Sequence, residues 1–548
     1  MKQTILFAVF LVSGLLGIAQ NPLVKQWDKR FGGSNYDYLN ALLQTYDGGF
    51  LLGGITYSIS SGDVSQPSQG GADFWVVKTD SVGSKVWDKR FGGNGGDVLY
   101  SLELTVDGGY ILGGTTWSDS SGDVSQPKKG GEDYWLVKLD LFGNKEWDKR
   151  FGGNDRDILH SVKQTLDGGY ILGGNTESNN DSGDVTQPSK GYVDYWIVKT
   201  DSYGNKQWDK RFGGTLWDGF SSLCQTSDGG YILLGSSSSD TCIDKTQACW
   251  DTSTSPLTAH ADYWIVKIDS MGNEQWDKRY GGIDFDSPAS INQTSDAGFI
   301  LAGISFSEND GDKTQACWDT STSPFGSHGD FWIVKIDSLG NRQWDKDFGG
   351  FSGEELRYIV KTKDGGYFLS GESYSQATGD KSENNLGQGQ GWIVKVDSAG
   401  NKQWEKTIFT TGHDEGGCAI QSKDGCYVIA ISSNGGIGGY KTQAGRGELD
   451  FWIVKFCDTT TITNVFPLSL QEEPQVRIYP NPATSQLFIE SSEEIKQVNI
   501  YNTMGEVVMA VQSSTFNHQL SIINLPYGVY IAEIKTKDAS VKKRWVKE

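Results

Sequence analysis

The sequence predicts an all-β protein: a seven-bladed β-propeller with four strands per blade and an N-terminal strand closing the last blade, followed by a small C-terminal β-sandwich. Three observations predict it. One set of motifs occurs seven times. The strand-length runs alternate or are apolar on both sides, with no helical period. The array also begins and ends out of phase with its own unit.

The repeat has three signals. Trp-Asp-Lys recurs at Trp27, Trp87, Trp147, Trp208, Trp276 and Trp344, and as Trp-Glu-Lys at Trp404. A Gly-containing turn before an aromatic starts at Asp47, Asp107, Asp167, Asp228, Asp296, Asp364 and Asp424. A Trp-aliphatic-Val-Lys strand carries Trp75, Trp135, Trp196, Trp264, Trp332, Trp392 and Trp452, and an aromatic precedes each Trp except Trp392, where Gly391 stands. One unit therefore reads as four strands. Ala41–Thr45 leads through Asp47-Gly48-Gly49 to Phe50–Thr56, and after a longer loop Asp73–Thr79 turns back through Asp80–Ser84 into Lys85–Phe91. Gly and Asn in such turns supply the positive φ that tight hairpins need. The repeated tryptophans are expected to pack blade against blade, each stabilising by a few kcal/mol (~3–5) when buried.

The phase of the array fixes its ends. The chain enters on a Trp-Asp-Lys strand before any complete unit, and leaves after Phe451–Phe456 with no such strand following. Pairing residues 25–31 with the last unit removes two exposed edges. The propeller is expected over 20–457. Before it, residues 1–19 read as a secretory signal: Lys2, an apolar run from Ile5 to Ile18, and small residues at Gly17-Ile18-Ala19. That run is shorter than a membrane-spanning helix needs, and no other run approaches that length. No Cys follows the cleavage point to carry a lipid. After the array, 458–472 is a polar and charged linker, and 473–548 loses the repeat.

The terminal segment carries its own motifs: Tyr479-Pro480-Asn481-Pro482, a strand Val498–Asn502 leading to Gly505, and Leu525-Pro526-Tyr527-Gly528-Val529-Tyr530. In that order they resemble the type A sorting domain of the type IX secretion system. The resemblance implies partnership with that secretion machinery, passage across the outer membrane, and release or attachment to the cell surface. The units themselves resemble secreted bacterial propeller repeats, a broad family with no single activity. Their rhythm is also similar to quinoprotein propellers, but no specialised cofactor pocket is visible.

Composition narrows the functions. Gly is 71 of 548 residues, Trp 19, Tyr 23 and Phe 24, and the formal charge is −21. The acidity and the lack of basic runs argue against nucleic acid and suit solubility outside the cell. The five histidines, His160, His260, His328, His413 and His518, show no metal-ligand or Ser-His-Asp spacing. No phosphate-binding loop opens a helix. These absences weigh against catalysis. The expected role is a binding or adhesion module for an extracellular glycan or protein. A secreted glycan-active enzyme and a purely structural surface protein are the alternatives.

Two loop sets share one face, those entering each unit and those joining second to third strands. The first set places Asp37, Asp97, Asp157, Asp218, Asp286, Glu354 and Asp414 at one repeat position. Ringing the channel mouth, they would suit a cation such as Ca²⁺; the alternative is local bonding to backbone N–H groups. The second set carries Asp63, Asp123, Asp184, Asp244, Asp312 and Asp380, read as turn caps. In units four and five its loops share a 13-residue stretch, Asp244–Pro256 and Asp312–Pro324, with Trp250 and Trp318. These tryptophans, and then Trp217 and Trp117, are candidate ligand contacts; alternatively each covers its own loop. Of seven cysteines, Cys418 with Cys426, and Cys242 with Cys249 or Cys249 with Cys317, are candidate disulfides.

Overall fold

A computed structural model describes residues 23–179, 182–250, 261–318, 329–458, 476–479, 483, 485–502, 507–526, 528–537 and 540–547. The signal segment 1–19 and nearly all of the linker lie outside the described residues. The chain divides into two compact units, 1–459 and 460–548.

The first unit contains seven four-stranded antiparallel sheets. In the first sheet the strands are Asp37–Gln44, Phe50–Thr56, Asp73–Thr79 and Lys85–Phe91, side by side in chain order. The second and third strands are buried at every position because neighbouring sheets cover both faces. This is why they read as apolar runs. The fourth strand is an outer edge and alternates. The Asp80–Ser84 turn is closed by Gly83 at φ 79°. At the equivalent of Gly48, unit five instead has Ala297 at φ 63°. A Cβ there is strained, so Ala297→Gly is expected to raise stability by about 1 kcal/mol in chemical denaturation.

Each first strand packs on the first three strands of the preceding sheet, and Asp37–Gln44 packs in the same way on the strands of the last sheet. That last sheet has the order 23–31, 450–458, 427–433, 414–421. Trp27 pairs with Lys455 and Phe31 with Phe451, so the N-terminal strand supplies the fourth strand.

One side-chain link recurs in all seven sheets. The third-strand Trp donates its indole N–H to the carboxylate of the Trp-Asp-Lys strand: Trp75 to Asp88 at 3.2 Å, Trp135 to Asp148 at 3.1 Å, Trp392 to Glu405 at 2.7 Å. In the last sheet Trp452 donates to Asp28 at 3.1 Å. These tryptophans are fully buried. They also pack on an aromatic of the neighbouring sheet, as in Phe74–Trp135 at 4.7 Å and, between last and first sheets, Phe451–Trp75 at 4.7 Å. At Gly391 the aromatic is missing and the Ile431 side chain occupies its space.

The disulfide pairing differs from expectation. Cys426 bonds to Cys457, while Cys418, Cys242, Cys249 and Cys317 are free thiols. Register explains it. Tyr427 pairs with Phe456, which brings the residues beside them together, whereas Cys418 pairs with Ala430. Cys249 and Cys317 are each turned into their own sheet, against the Ser237 carbonyl at 2.8 Å and the Ser305 carbonyl at 3.2 Å.

In the second unit the described strands form one five-stranded sheet. Two long strands, Gln486–Tyr501 and Val507–Ser521, run through both halves, with register shifts between Glu490 and Gln497. Leu487, Ile489, Val498, Ile500 and Trp545 form its core.

Candidate functional site

The seven first strands line a central cavity of about 740 Å³. Tyr38, Tyr100 and Arg357 line it from three sheets, and His160 and Lys163 from a fourth. The expected acidic ring does not. Asp37, Asp97, Asp157, Asp218, Asp286, Glu354 and Asp414 are buried, and none lines the cavity. Each is turned into the loop before its strand. Asp37 accepts from the Gly33 N–H at 2.7 Å and the Ser58 hydroxyl at 3.2 Å. Asp157 accepts from Gly153 at 2.7 Å and Ser178 at 3.0 Å, and Glu354 from Gly350 at 3.0 Å and Ser373 at 2.8 Å. They lock turns. Burial, only partly offset by these bonds, lifts Asp37 and Asp414 to about 6 and Asp157 and Asp286 to about 7.

Trp250 and Trp318 have a duty at the next sheet. The Trp250 indole N–H donates to Asp312 and that of Trp318 to Asp380, both at 2.9 Å. Each acceptor also takes a backbone N–H, from Gly281 and Gly349. Elsewhere the same Asp position is met by Arg446 on Asp63, Gln69 on Asp123, Lys129 on Asp184 and Lys190 on Asp244. The set is thus a staple between successive sheets, with Trp as donor in two of them. The Arg279 guanidinium covers one face of Trp250 at 4.4 Å. Both tryptophans remain 43% exposed, and Trp117 and Trp217 are exposed to a similar degree.

A cluster that sequence reasoning missed lies where the sixth, seventh and first sheets meet. Glu355 pairs across strands with Glu372, and Glu415 with Ser432. His413 stands between carboxylates, its Nδ1 3.6 Å from Glu372 and its Nε2 3.5 Å from Glu415. Tyr374 packs on His413 at 6.1 Å. Tyr36 and Tyr38 stack at 5.8 Å with an interplanar angle of 4°, and the backbone of Tyr57 hydrogen-bonds to Tyr36. Burial raises Glu372, and burial followed by the charge of Glu415 raises Tyr38. Tyr36, Tyr57 and Tyr374 are exposed. The missed signal is Glu372. The other sheets carry Ile55, Thr115, Asn175, Ser236, Ile304 and Ser432 at its register position.

Comparison with known proteins assigns the second unit. Residues 477–548 match the secretion system C-terminal sorting domain. This segment is a type IX secretion sorting domain. It directs the chain to be secreted or attached to the outer cell surface. In the sorting domain the Tyr530 hydroxyl donates to the Pro526 carbonyl at 2.8 Å, and its ring stacks on Trp545 at 5.1 Å. Leu525 and Gly528 flank that turn, and Tyr479 ends a strand. Pro480, Asn481, Pro482 and Gly505 lie outside the described residues. The chain as a whole has more distant likenesses. The chain is 25% identical over 191 residues to the regulatory protein FlaEY of Caulobacter vibrioides, covering 34% of this chain and 20% of that protein. Among solved structures, Sqt1 from Chaetomium thermophilum aligns at 9% identity and TM-score 0.37, covering 80% of this chain and 99% of that one. PorZ, a surface component of the type IX secretion system of Porphyromonas gingivalis, aligns at 9% identity and TM-score 0.22, covering 93% and 81%. Among the described residues no helix is long and apolar enough to cross a membrane.

Proposed function

We propose that this chain is an exported, closed seven-bladed β-propeller that binds an extracellular glycan at its channel mouth, with the sorting domain as its address to the type IX machinery. The cluster of exposed tyrosines beside Glu355, Glu372 and Glu415 carries this reading. Aromatic faces stack on sugar rings while carboxylates accept from hydroxyls, the combination of apolar wall and few placed polar groups that ligand sites use. The channel mouth replaces the loops of units four and five as the favoured place, because Trp250 and Trp318 already donate their N–H groups between sheets.

A glycan array on the purified chain tests it. Tyr36→Ala and Tyr38→Ala are expected to weaken binding by about 10- to 100-fold, the loss of one aromatic contact. Trp250→Ala should leave it unchanged. The reverse pattern would move the site to the loops of units four and five.

A second reading, a glycan-active enzyme, draws on Glu372. Glycoside cleavage uses two carboxyl groups, one of them kept protonated as the acid. Glu372 is held towards its neutral form beside two further glutamates. Release of shortened sugars from a bound glycan, abolished by Glu372→Gln, would establish it.

A further inference from the structure

The fifth blade breaks the repeat in charge. The residue after Trp-Asp-Lys is Arg30, Arg90, Arg150, Arg211 and Arg279 in five copies, Asp347 in one and Thr407 in another. Where arginine stands, it faces an acid at the start of the third strand. Arg90 Nε lies 2.5 Å from Asp73, Arg150 2.6 Å from Asp133 and Arg211 2.5 Å from Asp194. In the sixth blade the arginine and the acid are lost together, to Thr407 and Gln390. In the fifth the acid stays as Asp330 and a second acid replaces the arginine.

The result is a buried group of three ligand types. Cys317 Sγ, a carboxylate oxygen of Asp330 and one of Asp347 all lie within 4.8 Å of one another. One ammonium reaches the group, on the side of Asp347 and Cys317. Lys313 Nζ is 2.6 Å from Asp347 Oδ2 and 3.0 Å from Cys317 Sγ. Asp330 Oδ2 accepts from the Trp318 N–H at 2.7 Å. Among the described residues Asp347 Oδ1 has no donor, and neither has Asp330 Oδ1, like its equivalents Asp73 Oδ1, Asp133 Oδ1 and Asp194 Oδ1; Asp330 and Asp347 are both at least nine-tenths buried. Unpaired carboxylate oxygens in a dry site are costly. The fourth blade is the internal contrast. It has the same Lys245, Cys249 and Asp262, but Arg279 supplies a second cation there.

We propose that Cys317, Asp330 and Asp347 form a divalent-metal site of the zinc class in the fifth blade. One thiol sulfur with two carboxylates suits a borderline metal. Calcium and magnesium call for six or more oxygens. A metal supplies the charge that arginine supplies in the other blades, and its binding takes a proton from the thiol. A cavity of about 460 Å³ lined by Asp347, Trp318, Asp380 and Lys402 lies beside the group.

Loading the mature chain with cobalt in place of zinc tests the proposal. Elemental analysis should find a single cobalt per chain, with a thiolate-to-cobalt charge-transfer band. Cys317→Ala should lose the band. Asp347→Arg should lose the metal, with affinity falling beyond the 10- to 100-fold that outer-shell changes cause. This variant installs the residue that the first four blades hold, and circular dichroism checks that it folds; Asp330→Asn provides a second test. An unchanged band in Cys317→Ala, or stoichiometric metal in Asp347→Arg, would overturn the site. So would a wild-type chain that binds no cobalt and shows instead a carboxylic-acid infrared stretch removed by Asp330→Asn. In that case a proton shared by the two acids takes the place of the metal.

Discussion

Deleting residues 23–31 should abolish the cooperative thermal transition of the first unit and drive the chain into aggregates or swapped dimers. These residues form a whole strand of the last sheet. Leu23 and Phe31 are buried, each stabilising by about 1.5–3 kcal/mol. Asp28 is a hub. It accepts from the Trp452 indole at 3.1 Å and from the Thr442 N–H and hydroxyl at 2.9 Å each, and pairs with Lys25 at 2.7 Å. Against the cost of burial, these bonds hold its carboxyl below the usual range. Hydrogen bonds to a charged group contribute about 1.5–3 kcal/mol each. Their joint loss rivals the roughly 5–15 kcal/mol that keeps a domain folded. The deletion also bares residues 450–458 as an apolar edge, a template for pairing with another copy. Calorimetry and size-exclusion chromatography read both effects. A synthetic 20–31 peptide should restore the monomer, and Asp28→Ala should show a smaller loss. An unchanged melting temperature in the deletion would mean that the strand is dispensable.

What the sequence made legible follows from how often each contact is repeated. The Trp-to-Asp bond inside each sheet uses the same two residue types every time, so the motif announces it. The out-of-phase start alone makes Trp27 part of a strand in search of a sheet. The staple between sheets was not legible, because its donor is Arg, Gln, Lys or Trp from blade to blade and only the Asp is constant. Trp250 therefore looked free for a ligand when its N–H was engaged. The Cys426–Cys457 bond depends on which residues face each other across two strands, and that register is absent from a linear reading. The acids at the head of each first strand were found in sequence with two readings, a ring at the channel mouth and local bonds to backbone N–H groups, and the bonds from Gly33, Gly153 and Gly350 follow the second. A rotation of one side chain about its own Cα separates a channel-lining carboxylate from one that caps its turn. Glu372 and Asp347 are a different case. Each is the one acid at its repeat position: Ile, Thr, Asn or Ser stands elsewhere at the first, and Arg or Thr at the second.

The acids at the head of each first strand give the second large effect, a stability that falls as pH rises from about 4 to 7. In the unfolded chain these aspartates titrate near 3.8, whereas in the folded protein Asp37 and Asp414 titrate at about 6 and Asp157 and Asp286 at about 7. Between these values the folded chain holds more protons than the unfolded one. The unfolding free energy therefore decreases with pH across that window, by at most about 1.4 kcal/mol per unit for each group that titrates. Below it a second set acts in the opposite sense. Hydrogen bonds to Asp28, Asp88, Asp148 and Asp209 outweigh their burial and hold them low. Their contribution is present above the unfolded value and lost as pH falls through the folded one. Maximum stability should lie near about pH 4, well on the acid side of neutrality. Urea titrations at half-unit steps would trace the curve. Asp157→Asn and Asp286→Asn keep an oxygen for the Gly153 and Gly282 N–H groups and remove the charge, so each should flatten the decline between about pH 4 and 7. A profile equally steep in both variants would place the ionising groups elsewhere.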